Sequence, residues 1–217
     1  DEITVCGFLQ MTLNTVAKGD KRYRVFNFGG SAYSVKDMYA TLVHRVKQVH
    51  PDIVLLAIVP EDFDLTRTPE VDAYGYTYNA QYSEYLSRDS RLKRMLRNVR
   101  SVYFLRDLLY RWRHRNDTPP VEAPFPSSYH YVADFHTFAD RQDWRNAVVL
   151  LPSKTSSFNQ ALRRQMQAEG VRVIDLTGIA DQLKDSDFYA SRYDHHPSAK
   201  AHQAIGKALA DNPLLLR

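Results

Sequence analysis

Cysteine is nearly absent from this 217-residue chain. The single Cys6 excludes an internal disulfide framework and a zinc site built from several thiolates. No apolar run reaches the roughly 18 residues of a membrane-spanning helix. Internal repeats are lacking too. With 44% apolar and 25% charged residues, usage is that of an ordinary globular protein, which excludes a wholly disordered chain. No Gly-x-Ser-x-Gly sequence occurs, so a nucleophile-elbow hydrolase has no support. The chain opens on Asp1 with no basic-then-apolar leader, so any start or targeting segment is expected outside these residues.

What is present is one large domain's worth of sequence with an uneven charge. The net charge is +4, yet residues 88–115 alone carry an excess of eight positive charges, so the rest of the chain is net acidic. The basic character therefore belongs to one segment. No recognised nucleic-acid module accompanies it, and no nucleic-acid partner is expected.

Hydrophobic spacing gives the organisation. Val5, Phe8, Leu9, Leu13 and Val16 recur at helical intervals over residues 2–16. Tyr23 to Phe28 reads as a short strand running into Gly29 and Gly30. Ser34 is placed to cap a helix that continues through Met38, Leu42 and Val46, and Pro51 forbids its extension. Ile53 to Val59 is an unbroken apolar run, the pattern of a strand buried on both faces. Ala147–Leu151 and Val171–Leu176 are two more strands, with a helix over 157–169 between them and a last helix from Ser198 to Ala210. Strands alternating with helices predict an α/β fold: a three-layer, flavodoxin-like, doubly wound parallel sheet.

Residues 63–145 interrupt that alternation. They are rich in tyrosine and contain an amphipathic helical pattern from Leu92 to Trp112 whose polar face is basic. The proline-rich stretch 119–126 must be extended. The whole predicts a largely helical insertion, a lid or collar within a single 1–217 domain, at the strand ends where open α/β sheets bind ligands. Arg94, Arg97 and Arg100 could contact an anionic glycan or membrane surface. A solvated helix face packed on the domain is the simpler explanation of them.

Three segments could carry chemistry. In Tyr193-Asp194-His195-His196-Pro197-Ser198, a carboxylate two residues from an imidazole can orient it and stabilise the imidazolium. A polar turn capped by Ser198 is the alternative. Gly29 and Gly30 could present backbone N–H groups to an oxyanion, or simply turn the chain. Glu61 and Asp62 follow the most apolar strand, as site residues or as a solvated turn. Asp194, His195, His196 and His202 lie close enough in sequence to suggest zinc. Adjacent histidines diverge and no cysteine joins them, so neither a metal nor a cofactor is expected.

In this order and spacing, the three segments resemble the SGNH (GDS-motif) serine hydrolases, in particular a bacterial envelope-type branch with a long insertion. Phe26-Asn27-Phe28-Gly29-Gly30 resembles the family's glycine block. Ile58-Val59-Pro60-Glu61-Asp62-Phe63 falls where its Gly-x-Asn-Asp block stands, and Asp194-His195-His196-Pro197 resembles its terminal Asp-x-His block. The resemblance implies His196 as general base, Asp194 as its orienting acid, and Gly29 with Gly30, Glu61 and Asp62 around the oxyanion and substrate. It further implies a small-molecule or carbohydrate ester substrate, O-acetylated sugars included, and a periplasmic or envelope setting.

Two departures qualify it. The family's Gly-Asp-Ser nucleophile is not in this chain, and residues 2–16 match the helix that follows it. The serine and its central strand, in a 2-1-3-4-5 sheet, are expected upstream of residue 1. Glu61 stands where the family has asparagine, and an ionised carboxylate accepts hydrogen bonds but cannot donate one to an oxyanion. An inactive binding or assembly module on the same fold is therefore the rival reading. A carbohydrate O-acetyltransferase is a third.

Overall fold

The computed structural model describes residues 4–30, 32–66, 69–71, 77–79, 112, 127–152, 156–191 and 194–216. The chain divides into two compact units. One comprises 1–29, 34–65 and 127–217, and the other 30–33 with 66–126.

The first unit is built on three parallel strands. These are β1 (Ile53–Ile58), β4 (Arg145–Leu150) and β5 (Val173–Asp175), in the order β1-β4-β5. Register pairs Ile53 with Arg145, Ala57 with Val149, and Val149 with Ile174. The fold is α/β with a parallel sheet, as the alternation predicts.

Helices cover both faces. On one, α2 (Val35–His44) and α3 (His130–Arg141) bury Leu42, Val132 and Phe135 against Val54, Leu56, Ile58, Val148 and Leu150, joined by Leu162 and Met166 of α4 (Ser156–Ala168). On the other, α1 (Val5–Val16) and α7 (Ala199–Ala210) bury Leu9, Leu13, Ile205 and Leu209 against Ala147, Val149 and Ile174. Gly206 permits the close crossing of α1 and α7: a Cβ there would stand 2.8 Å from Phe8 Cβ and 3.0 Å from the Leu9 nitrogen. Short helices α5 (Ile179–Gln182), α6 (Asp185–Phe188) and α8 (Pro213–Leu216) complete the unit with a two-stranded ribbon, β6 (Tyr189–Ser191) and β7 (Asp194–Pro197).

The predicted strand at Tyr23–Phe28 does not form among the described residues. The segment lies alongside α1 instead. Tyr23 exchanges two hydrogen bonds with the Asn14 amide at 2.8 and 3.0 Å, and the Val25 N–H donates to Gln10 Oε1 at 2.8 Å. No described strand adjoins it, so side-chain amides of the helix take the bonds a ladder would have made.

In the second unit, β2 (Pro69–Val71) pairs antiparallel with β3 (Thr77–Asn79). Helix α3 packs in the first unit. The basic pattern from Leu92 to Arg111 lies outside the described residues.

Candidate active site at the carboxyl edge of the sheet

Past its carboxyl end, β1 turns through one 3-10 turn, Pro60–Phe63. Proline suits the first position of such a turn, where no N–H is needed. The Asp62 carboxylate reaches back to accept the Val59 N–H at 2.9 Å and is 8% exposed. Ser128 Oγ donates to the Phe63 carbonyl at 2.8 Å and fixes the turn from outside. Asp62 is thus held inward by its own turn, while Glu61 beside it is exposed.

The Asp-His-His-Pro segment forms strand β7 rather than the loop expected, paired antiparallel with β6 through an irregular register. His196 is exposed. Two residues on, Ser198 caps α7: its Oγ accepts the Ala201 N–H at 3.2 Å and donates to the Asp187 carbonyl, and its N–H donates to the Phe188 carbonyl at 2.8 Å. Lys200 Nζ lies 2.8 Å from the Asp187 carboxylate, and this hydrogen bond and charge hold that acid below its ordinary range. These fastenings between α6 and the start of α7 carry no signal in the sequence.

The direction of α7 locates His196 relative to the sheet. Arg145, at the amino end of β4, donates to the Leu214 carbonyl at 2.9 Å, beyond the far end of α7. A helix of that length spans about 18 Å. Its start, and His196 with it, therefore lies toward the carboxyl edge, the edge that carries Glu61 and Asp62.

The glycines sit differently. The Gly29 N–H is exposed and donates to Asn27 Oδ1 at 2.9 Å, so the proposed oxyanion donor is engaged locally in this conformation. Gly30 belongs to the second unit, where a Cβ would come within 2.5 Å of the Tyr33 ring. A tight turn accounts for that glycine. Arg94, Arg97 and Arg100 lie outside the described residues.

One carboxylate at this edge was missed from the sequence. Asp175, the last residue of β5, accepts from the Thr177 N–H at 3.0 Å and hydroxyl at 2.6 Å, and meets Arg163 at 3.1 Å. Burial pushes its carboxyl up, but those hydrogen bonds and the guanidinium outweigh burial and leave it below its ordinary value. Among the described residues, no three His, Cys, Asp or Glu side chains converge as a metal site.

No family model and no curated protein matches the chain. A solved structure does, that of a protein assigned to the G-D-S-L family from Desulfitobacterium hafniense DCB-2. The two are 12% identical, the alignment covers 96% of this chain and 87% of that one, and the TM-score is 0.57. The likeness is one of fold. It relates this α/β sheet to that of the matched structure.

Proposed function

We propose that the chain is the larger part of an SGNH-type acyl-ester hydrolase. His196 is the general base and Asp194 the carboxylate that orients it. The nucleophilic serine comes from a strand outside these 217 residues. In the first step the serine hydroxyl attacks the ester carbonyl and His196 takes its proton. That proton passes to the departing alcohol, and an acyl-serine remains. Water, deprotonated by the same imidazole, then releases the acid. Esters of acetylated carbohydrate are the proposed substrate class.

One observation carries the reading: an exposed histidine, two residues before a capped helix, at the carboxyl edge of a G-D-S-L-like sheet. The edge of β1 supports it independently. Arg145 N–H donates to the Asp52 carbonyl at 3.1 Å and Leu151 N–H to the Ile58 carbonyl at 3.0 Å, so the even-numbered residues of β1 turn their main chain toward β4. Ile53, Leu55 and Ala57 turn theirs the other way, where no described strand pairs with them. Native edges are protected by charge, proline or a bulge. This one, Ile-Val-Leu-Leu-Ala-Ile, has none of these. Its sequence suits a strand with a neighbour on each side, and a serine-bearing strand fits that place.

The rival module is favoured by Glu61 and by the Asn27–Gly29 bond, which together weaken the oxyanion hole. Release of p-nitrophenol from a short-chain ester, by protein carrying the serine segment, separates the two. The hydrolase reading expects turnover that falls by ~10³-fold or more in His196→Ala. Full activity in that variant rejects His196 as the base, and no turnover in the parent protein leaves the binding module standing.

A further inference from the structure

We propose that His136 and Asp140 of α3, backed by Asn146 of β4, form a binding site for a divalent transition metal of the zinc type. The three side chains meet at the amino edge of the sheet, the opposite edge from Glu61 and Asp62, and the hydrolase reading uses none of them. His136 and Asp140 stand one helical turn apart, so they share a side of α3. Asn146, the second residue of β4, is buried against them.

The hydrogen-bonding roles follow one from another. The Asn146 side-chain nitrogen donates to Asp140 Oδ1 at 2.7 Å and to the Trp144 carbonyl at 3.3 Å. Both partners accept only, so the amide cannot be turned round. Its oxygen lies against His136 Nδ1 at 2.6 Å, and Nδ1 must therefore carry a proton. A neutral ring in that tautomer has a lone pair at Nε2, and Asp140 Oδ2 lies 3.4 Å from that atom. Two acceptors so placed repel unless a cation stands between them.

The distance selects the cation. A proton on Nε2 would draw the pair to about 2.7–2.9 Å, the length of a charge-assisted N–H···O bond. A zinc ion about 2.0–2.1 Å from the nitrogen and about 2.0–2.2 Å from the oxygen instead subtends roughly 110° across the 3.4 Å gap, close to the tetrahedral angle. Donation of Nδ1–H to an amide oxygen is the kind of support that metal-binding imidazoles ordinarily have. The Asp140 side chain is 56% exposed, and no third His, Cys, Asp or Glu converges here among the described residues, so water completes the coordination. An imidazole ligand favours zinc over calcium or magnesium. Bound metal ties the last turn of α3 to the start of β4. The inference does not depend on the hydrolase reading.

Ring-nitrogen NMR of the chain, labelled with nitrogen-15 in histidine and titrated with zinc chloride at about pH 8, where a free imidazole is neutral, tests it. His136→Ala assigns the signal. Zinc should shift Nε2 of His136, and Asp140→Asn should raise the zinc concentration at half-saturation by about 100-fold or more, since even outer partners of a metal ligand are worth ~10–100-fold. Asp140→Asn keeps the network: its oxygen still accepts from Asn146 and its nitrogen can donate to Nε2, so the urea midpoint without zinc should not fall. No response of His136 to zinc overturns the proposal, as does an equal response in Asp140→Asn. A proton retained on Nε2 at that pH and untouched by zinc overturns it in favour of a plain ion pair.

Discussion

Strands β1 and β4 lie side by side with similar apolar sequences, yet they occupy different environments. Val149 of β4 is fully buried, with β1 and β5 on either side. Its register partner on β1, Ala57, is exposed although the two share a face of the sheet. The difference is one of neighbours. Helices α1 and α7 close over β4, whereas the outer edge of β1 meets no described strand. Apolar sequence therefore records the environment a strand is built for. Pairing and cover decide what it experiences.

Matched substitutions test that contrast. Val149→Asp buries an unpaired charge between two ladders and should cost more than ~4 kcal/mol, enough to abolish cooperative urea unfolding. Gly206→Val attacks the cover over β4 by forcing α1 off α7, and should cost about 2–3 kcal/mol by the same measurement. Asn146→Ala acts at the amino end of β4. There the buried amide accepts from His136 Nδ1 at 2.6 Å and donates to Asp140 at 2.7 Å. Its loss should cost ~1–3 kcal/mol.

The smaller effects sharpen the comparison. Asp175 at the end of β5 has a carboxyl held below its unfolded value, so its contribution is present above the ordinary carboxylate range and disappears as pH falls below that range. Solvent screening keeps it under ~1 kcal/mol, and Asp175→Asn should flatten the acid limb of a stability–pH profile by that amount. Ala57→Asp should be nearly silent, within ~0.5 kcal/mol, in these 217 residues. In protein carrying the adjoining strand it should cost more than ~2 kcal/mol. A large effect in the shorter chain would mean that the edge of β1 is already covered.

What could be read from sequence followed the strength of local signals. The apolar runs of β1 and β4 stand out, and Ser34 and Ser198 sit where the helix starts are found. Residues 23–28 have a strand's composition but no described neighbour to complete a ladder, and a ladder is a property of pairs. Helix α3 shows in the sequence through the helical spacing of Val132, Phe135 and Ala139, which it buries. At the site, the position of His196 before the last helix was legible. The ribbon β6–β7 is too short to announce itself, and only distant partners such as Asp187 with Lys200 make it a fixed platform. Asp62 is expected at the site, and it also carries a local role. Its position three after Val59, within a proline-started turn, was the signal that its carboxylate would cap that turn.

The central claim is that His196 serves a serine lying outside these residues. Labelling protein that carries the serine segment with a fluorophosphonate, followed by peptide mass spectrometry, addresses it directly. One modified serine, located before Asp1, is expected, with loss of labelling in His196→Ala. A modified serine within residues 1–217, or labelling untouched by that substitution, would contradict it.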